Sequence, residues 1–268
     1  MTRRPNDTES CATAAPPLKV WTERAGALLR LRLDRPKANL VDLETAEAIH
    51  DALGAHIGDS GLLAVLVDHA GPHFSYGASI PEHLPDRYRA MLDGMHRMVL
   101  AMVDYPLPIL VAVRGFCLGG GLELASAGHL LFAAPDSELG QPEIKLAVFA
   151  PAASCLLPEL IGQARADDLL FSGRMVTGAE AQAMGLVAAV ADDPEAAALA
   201  YFDQHLGGLS APALRCAVQA SRMGYAQRIR EKLARMEELY VDDLMAKLDP
   251  VEGLTAFMEN RPPRWRHR

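Results

Sequence analysis

The stretch PILVAVRGFCLGGGLELA at residues 108–125 joins an apolar strand to a helix through three consecutive glycines. Residues 108–115 read PILVAVRG, and this largely apolar segment of strand length predicts a buried strand. We predict that a helix begins near Leu122, directly after the glycine triplet 119–121. Glycines at such a junction let a ligand approach the backbone, and the first turn of the helix offers unpaired N–H groups. The stretch therefore predicts either a site that stabilises an anion or a tight strand–helix turn.

Strands and helices alternate on both sides of this stretch. Leucines alternate with charged residues over 29–34, which predicts a half-buried strand, and apolar residues at helical spacing over 43–57 predict a helix. The other predicted elements are a buried strand at 62–70, a helix at 86–104, a strand at 129–135, a largely apolar loop at 139–154 that leads into another helix, and a last strand at 186–191. This alternation is typical of βαβ units and predicts an α/β fold with a mainly parallel sheet.

Composition and charge exclude several classes of protein. The 268 residues are 50% hydrophobic and 22% charged, which is inconsistent with wholesale disorder. The net charge of −8 disfavours nucleic acid as the main partner. The four cysteines form no CxxC pair, so we expect a reduced, cytoplasmic setting. The histidines are scattered and predict no structural metal, and no apolar run approaches the roughly 20 residues of a membrane span.

The chain is predicted to have three parts. Residues 1–17 are polar and proline-rich, which is typical of a flexible leader and not of a signal peptide. Residues 18–193 carry the alternating strands and helices of the α/β core. Residues 194–268 are predicted to be a helical oligomerisation region, because 194–248 are rich in Ala, Arg, Glu and Leu.

Two carboxylates are the candidates for proton transfer. Glu123 lies two residues past the glycine triplet, where a carboxylate also stabilises the helix dipole, so a purely structural role is the alternative. Glu143 follows Pro142 among apolar residues. A carboxylate among apolar residues either forms a pair with another polar group, or its pKa rises toward the range that suits proton transfer. The joint role of the two glutamates depends on whether the fold brings them together.

A third candidate is the loop after the strand at 62–70. It reads FSYGASI at residues 74–80, and a glycine-containing loop at a strand end is a usual place for ligand binding in α/β folds. The alternative is an ordinary surface turn.

Taken together, these segments resemble the crotonase (enoyl-CoA hydratase/isomerase) superfamily. The resemblance rests on FSYGASI at 74–80, GFCLGGGLELA at 115–125 and GQPEI at 140–144, in the family's order and at its usual spacing. LDRPKANLVD and EGLTAFMENRPPRW resemble the family's flanking motifs, so the likeness covers about residues 19–265. It implies a crotonase-like (ClpP/crotonase) spiral of ββα units with a helical C-terminal trimerisation part. It also implies a homotrimer or homohexamer that acts on an acyl-CoA thioester.

The resemblance implies roles for individual residues. Family members stabilise an enolate with two backbone N–H groups, which match Tyr76 and Gly120 here, and the Tyr76 ring is expected to crowd the acyl pocket. The two glutamates of the family's hydratases match Glu123 and Glu143, and retention of both favours hydration. The residues expected at the CoA or the substrate are Lys37, Ala38, Ala78, Ser79, Ile80, Phe149, Pro151 and Phe257, the last against a neighbouring subunit's CoA. No metal is implied, and no cofactor beyond the CoA of the substrate.

Pro151 departs from the family's pattern. Ordinary hydratases carry a glycine-rich PGAGG where this chain reads APAAS at 150–154, and the aligned glycine N–H helps to hold the water. Proline has no N–H, so we expect the water to be held differently. The loops FSYGASIPEHLP and GQPEIKLAVFAPAAS are most similar to those of the family's cyclohexa-1,5-diene-1-carbonyl-CoA hydratases. Those enzymes of benzoyl-CoA breakdown add water to a conjugated ring in a 1,4 sense.

Three alternatives stay open at this point. An ordinary enoyl-CoA hydratase or isomerase of fatty-acid or alicyclic-acid degradation would carry the same motifs. A non-catalytic acyl-CoA-binding or RNA-binding relative is disfavoured by the two glutamates and by the charge of −8. A two-carboxylate glycosidase is disfavoured by the aromatic content of 6% and by the triple glycine beside Glu123.

Overall fold

The computed structural model describes residues 16–35 and 38–268. The predicted leader lies outside the described residues except for residues 16 and 17, and so does Lys37. The boundaries drawn at residues 17 and 193 therefore remain predictions.

Nine strands form two sheets in the described part of the chain. They are β1 (Leu18–Glu23), β2 (Leu28–Leu33), β3 (Ala64–His69), β4 (Ile109–Val113), β5 (Phe116–Leu118), β6 (Leu130–Ala133), β7 (Glu138–Gly140), β8 (Met175–Thr177) and β9 (Ala189–Val190). The larger sheet has the order β1-β2-β3-β4-β6-β9, and the smaller one has the order β5-β7-β8. Within these sheets β1 pairs antiparallel with β2 and β7 with β8, and the other pairs are parallel. The predicted, mainly parallel sheet is confirmed.

Helices follow most of the strands. Those that the structure describes are α1 (Leu43–His56), α2 (Tyr88–Val103), α3 (Gly120–Ala127), α4 (Pro151–Ile161), α5 (Gln163–Ser172), α6 (Gly178–Met184), α7 (Pro194–Tyr201), α8 (Ala211–Glu238) and α9 (Asp249–Met258). Side-chain capping fixes where α1 begins. The Asp42 carboxylate accepts a hydrogen bond from Thr45 N at 2.9 Å and caps the helix. Short 3₁₀ helices occupy Arg24–Gly26, Ile80–His83 and Pro142–Leu146, and π-helical segments occupy Phe202–Leu206 and Leu239–Leu244.

The buried central strands bring two of the predicted loops together. β3 and β4 run parallel with Val65 opposite Ile109, so the chain leaves both strands at the same edge of the sheet. The loop after β3 then pairs with β5: Ser75 N donates to Phe116 O at 3.0 Å, and Leu118 N donates to Ser75 O at 3.0 Å. The FSYGASI loop is thereby held against the glycine triplet that follows β5.

The segment 139–154 is not the loop that the sequence predicts. It contains the end of β7, the 3₁₀ helix Pro142–Leu146 and the first turn of α4, which begins at Pro151. Proline fits the first position of a helix because its missing N–H has no partner there in any case. Likewise α3 begins at Gly120 and not near Leu122, since packing against the preceding loop overrides the weak helix propensity of glycine.

Several shorter elements also differ from the prediction. β1, β5, β7 and β8 were not expected from the sequence, and the last strand is shortened to Ala189–Val190. β5, β7, β8 and β9 have only two or three residues, too few to show a two-residue period. β1 has six residues, but after Leu18 its side chains are exposed or half-buried, so it shows no apolar alternation. After β9 every regular element of the described chain is a helix, as the sequence predicts.

Candidate active site

The backbone N–H groups of Ala78 and Gly120 line one small space at the start of α3. A β-carbon at Gly120 would lie 3.0 Å from the Ala78 nitrogen, and Gly77, at φ +110°, turns the loop so that Ala78 faces the triplet. Across residues 16–35 and 38–268 neither N–H has a protein acceptor. The two donors are therefore placed to bind a single ligand oxygen, as an oxyanion hole requires.

Tyr76 does not supply one of these donors. Its N–H donates to Ala38 O at 2.9 Å, so the predicted role of Tyr76 is wrong and Ala78 takes its place. Its ring is not among the side chains that line the cavity described below, and crowding of the acyl pocket by this ring stays a prediction. The ring is 43% exposed and lies against His73 and Phe116, with centroid distances of 5.1 and 5.2 Å. The positive φ at the next residue explains the shift, because it directs the following N–H toward α3.

The fold brings Glu123 and Glu143 to one cavity of about 20 Å³. Glu143 lies over Gly119, where a β-carbon would overlap Glu143 Oε1 and where φ is +50°. Only glycine combines that backbone conformation with the close approach of a carboxyl group. The remaining walls are mainly apolar and include Met91, Leu92, Met95, Phe149 and Pro151. Two carboxyl groups thus face each other in a low-dielectric setting beside the two N–H donors.

Two helix N-termini surround Glu123. The residue belongs to the first turn of α3 and is 5% exposed, and its Oε1 accepts from Ala153 N in the first turn of α4 at 2.9 Å. Burial raises the pKa of Glu123, and the N–H groups of Ala153 and Ala152 oppose that rise. The helix ends therefore favour the ionised form of a carboxyl group that burial alone would keep protonated.

Glu143 has a different environment. Burial raises its pKa, and the negative charge of Glu123 raises it further. The Gln141 amide, with its nitrogen toward Glu143, donates to Oε2 at 3.0 Å and to Oε1 at 3.1 Å. Of the two glutamates, Glu143 therefore holds a proton more tightly, and the pair titrates as a unit.

The residues predicted to bind substrate separate into two groups. Ala78, Phe149 and Pro151 line the cavity. Ser79 and Ile80 lie next to it: Ser79 precedes the 3₁₀ helix Ile80–His83, and Ile80 packs beside the cluster that includes Tyr88 and Leu254.

Ala38 and Phe257 lie away from the cavity. Ala38 contributes the carbonyl that accepts from the N–H of Tyr76, and Phe257, on α9, is 58% exposed. Contact of these two residues with CoA stays a prediction, as does that of Lys37.

Three further side chains reach the cavity. His83 and His96 are buried, which lowers the pKa of each imidazole and favours the neutral form. His83 Nδ1 lies 2.9 Å from Ser79 O, and His96 Nδ1 lies 3.1 Å from Glu237 Oε2. Tyr240 is the third. The sequence marks His96 only as a polar residue on the apolar face of α2, and nothing marks Tyr240, because its position depends on how α8 crosses the core.

Residues 16–35 and 38–268 contain no group of three or more His, Cys, Asp or Glu placed to hold a metal ion. No helix in the described ranges has the length and apolar character needed to cross a membrane.

Comparison with known proteins identifies the family. The family model described as enoyl-CoA hydratase/isomerase matches residues 23–268. The chain belongs to the enoyl-CoA hydratase/isomerase family. It is 58% identical to a cyclohexa-1,5-dienecarbonyl-CoA hydratase from Thauera aromatica, over 95% of this chain and 99% of the relative. It is 34% identical to a probable enoyl-CoA hydratase from Mycobacterium leprae, over 89% of this chain and 94% of that protein.

Solved structures give the same result for the fold. The crystal structure of an enoyl-CoA hydratase/isomerase from Pseudoalteromonas atlantica matches with a TM-score of 0.82 at 26% identity, covering 93% of this chain and 99% of that one. An enoyl-CoA hydratase from Mycobacterium avium subsp. paratuberculosis matches with the same TM-score and identity, over 93% of this chain and 98% of that one. The predicted family and the crotonase-like α/β fold are both confirmed.

Proposed function

We propose that this chain is a hydratase of benzoyl-CoA breakdown that converts cyclohexa-1,5-diene-1-carbonyl-CoA into 6-hydroxycyclohex-1-ene-1-carbonyl-CoA. The observation that carries the proposal is the 58% identity, over nearly the full length of both chains, to the Thauera aromatica hydratase. The cavity supports it, because two N–H donors and two carboxyl groups are the groups that addition of water to an unsaturated thioester needs.

The reaction adds water to the two ends of a conjugated diene. The hydroxyl group joins the ring carbon that is β to the thioester carbonyl, and a proton joins the far end of the diene. The remaining double bond then lies between them. As the C–O bond forms, the electron pair of the diene moves toward the thioester oxygen. In our proposal Ala78 N–H and Gly120 N–H stabilise that negative charge.

The different environments of the two glutamates suggest their roles. Ionised Glu123, whose charge the first turn of α4 stabilises, accepts a proton from the attacking water. Protonated Glu143 delivers its proton to the ring carbon at the far end of the diene. One turnover therefore leaves Glu123 protonated and Glu143 ionised, and transfer of a proton between them restores the starting state.

This chemistry requires no cofactor. Hydration changes no overall oxidation state, and acid–base groups with an oxyanion hole are sufficient for it. CoA enters as part of the substrate, and we propose that it runs along Lys37, Ala38, Ser79 and Ile80 toward the oxyanion hole.

The experiment that tests the function compares two substrates. The purified protein is incubated in parallel with cyclohexa-1,5-diene-1-carbonyl-CoA and with crotonyl-CoA, and mass spectrometry detects the addition of one water. We expect the cyclic substrate to be hydrated with the higher kcat/KM. Preferential hydration of crotonyl-CoA would instead make the protein an ordinary enoyl-CoA hydratase.

We further propose that the protein assembles as a trimer or a hexamer. Large apolar side chains are exposed on α8 and α9, namely Met223, Phe257 and Met258, and apolar surface of this kind favours association. Sedimentation velocity at micromolar concentration tests the proposal, and a monomer would contradict it.

A further inference from the structure

The hydroxyl group of Tyr240 is a polar group in the cavity that the mechanism above does not use. Tyr240 is 1% exposed and lines the cavity together with Glu123 and Glu143. Its oxygen is buried, and no residue in the described ranges forms a hydrogen bond with it. A buried hydroxyl without a partner is unfavourable, so a partner is expected from outside the protein.

The backbone fixes the direction of this side chain. Tyr240 lies in the π-helical segment Leu239–Leu244, which continues α8 without a break, and Met245 N donates to Tyr240 O at 3.0 Å. Isolated π-helical turns are rare and occur frequently at functional sites. The ring packs against Phe149 and Tyr88, with centroid distances of 5.3 and 6.2 Å. These contacts hold the hydroxyl group at the cavity.

The chemistry at the ring indicates a partner for this hydroxyl. The ring of the proposed substrate is a hydrocarbon, and we propose that its carbonyl oxygen is bound by Ala78 N–H and Gly120 N–H. Within the ring and its carbonyl group, the remaining hydrogen-bonding atom is the oxygen that arrives as water and stays as the ring hydroxyl. His96 Nε2, which also lines the cavity without a partner in the described residues, can accept or donate a second hydrogen bond there. Burial raises the pKa of Tyr240, and a negative charge on either Glu123 or Glu143 raises it further. The phenol therefore keeps its proton and acts as a donor.

We propose that Tyr240 donates a hydrogen bond to the oxygen that is added to the ring, an inference that rests on the proposed function. One lone pair of the water attacks the ring carbon, the other accepts from Tyr240, and one water proton passes to Glu123. Tyr240 itself transfers no proton. In the reverse direction the same hydrogen bond stabilises the departing oxygen as the C–O bond breaks, while Glu123 returns the proton to it.

The test uses Tyr240→Phe, which removes the hydroxyl and keeps the ring. The matched control is Tyr105→Phe: Tyr105 is also buried, its hydroxyl also has no partner in the described residues, and it lies outside the cavity. Both variants and the wild type are incubated with 6-hydroxycyclohex-1-ene-1-carbonyl-CoA in deuterated water. Two rates are measured, namely the exchange of ring hydrogen for deuterium and the elimination of water. Exchange reports the proton transfer alone, whereas elimination also breaks the C–O bond.

We expect Tyr240→Phe to lower the elimination rate about 10- to 100-fold, the size typical of a lost hydrogen-bond donor at a reacting oxygen. Exchange should change much less, so the ratio of exchange to elimination rises. Tyr105→Phe should leave both rates as in the wild type. The unfolding midpoint of Tyr240→Phe should equal or exceed that of the wild type, because an unpaired buried hydroxyl is removed.

Two results would overturn the inference alone, given an active wild type. A parallel fall of exchange and elimination would show that the hydroxyl supports the site as a whole and has no special role at the C–O bond. Unchanged rates in Tyr240→Phe would show that the hydroxyl does not reach the reacting oxygen. A wild-type protein that neither hydrates the cyclic diene nor eliminates water from its product would overturn the proposed function together with this inference.

Discussion

Glu123 and Glu143 face the same cavity, but different backbone structures hold them. Glu123 lies at the meeting point of two helix N-termini, where Ala153 N–H donates to its carboxylate at 2.9 Å. Glu143 lies in a short 3₁₀ helix and contacts the side-chain amide of Gln141. Backbone N–H groups and helix dipoles stabilise a negative charge on Glu123, whereas burial and the negative charge of Glu123 favour a protonated Glu143. The comparison teaches that local backbone surroundings, and not residue type, distinguish two identical side chains, and our proposal of one base and one acid rests on this difference.

Removal of either carboxyl group is expected to have the largest effect on catalytic activity. We expect Glu143→Gln and Glu123→Gln each to lower kcat about 10²–10⁴-fold, because each removes a group that transfers a proton while keeping the volume. Steady-state hydration kinetics measure the loss, and circular dichroism checks the fold. If the pair acts as a unit, the double variant should be much less than multiplicatively slower. A single variant within about threefold of the wild type would contradict the assigned role.

Gly119→Ala tests the close approach of Glu143 without altering either carboxyl group. An added methyl group would overlap Glu143 Oε1, so we expect kcat to fall about 10- to 100-fold, as misplaced catalytic groups typically do. Gly185→Ala is the matched control, because Gly185 also has a positive φ, of +90°, but nothing lies within 4 Å of its β-carbon position. Backbone strain should therefore lower the stability of both variants, whereas the overlap with Glu143 should lower the activity of Gly119→Ala only. Equal activity in the two variants would contradict the steric argument.

The sequence predicts the parts of this comparison that depend on local pattern. Apolar runs at β3 and β4 predict the α/β fold, and the glycine triplet marks a candidate anion site, which the family resemblance identifies as the expected oxyanion hole. The hydrogen bond from Ala153 N–H to Glu123 was not predicted. The segment 139–154 was predicted to be a loop, whereas α4 begins within it at Pro151. The exchange of Tyr76 for Ala78 as a donor depends on the positive φ of Gly77. Neither a backbone angle nor a tertiary hydrogen bond leaves a periodic signal in one sequence.

Pro151→Gly tests whether the missing N–H at the start of α4 influences which substrate is hydrated. Pro151 is the first residue of α4 and lines the cavity, so glycine there restores an N–H donor beside Glu123. We expect the ratio of the crotonyl-CoA rate to the cyclic dienoyl-CoA rate to rise about 3- to 10-fold, the effect of one neutral hydrogen bond. Pro194→Gly, at the first position of α7, is the matched control for the loss of backbone rigidity. An unchanged ratio in a folded Pro151→Gly protein would mean that the proline does not select the substrate.

Stability as a function of pH gives the smallest expected effect. The pKa of Glu143 is raised in the folded protein, so its favourable contribution is complete below the ordinary value of 4.5 and is lost as the pH rises through the folded-state pKa. Glu143→Gln has no such group and should unfold at a higher temperature than the wild type at pH about 9, by a few degrees, and with little difference at pH about 5. Differential scanning calorimetry at the two pH values measures this. A lower midpoint for the variant at high pH would contradict the raised pKa.

The small volume of the cavity has a consequence for the kinetics of binding. A space of about 20 Å³ has room for one water molecule, which needs about 10–15 Å³, and has no room for a six-membered ring. Met91 and Met95, in its wall, have unbranched side chains that change rotamer at low cost. Entry of the ring into this space therefore requires the wall to rearrange. The observed binding rate should then approach a plateau as the substrate concentration increases, since the rearrangement and not the encounter sets the limit.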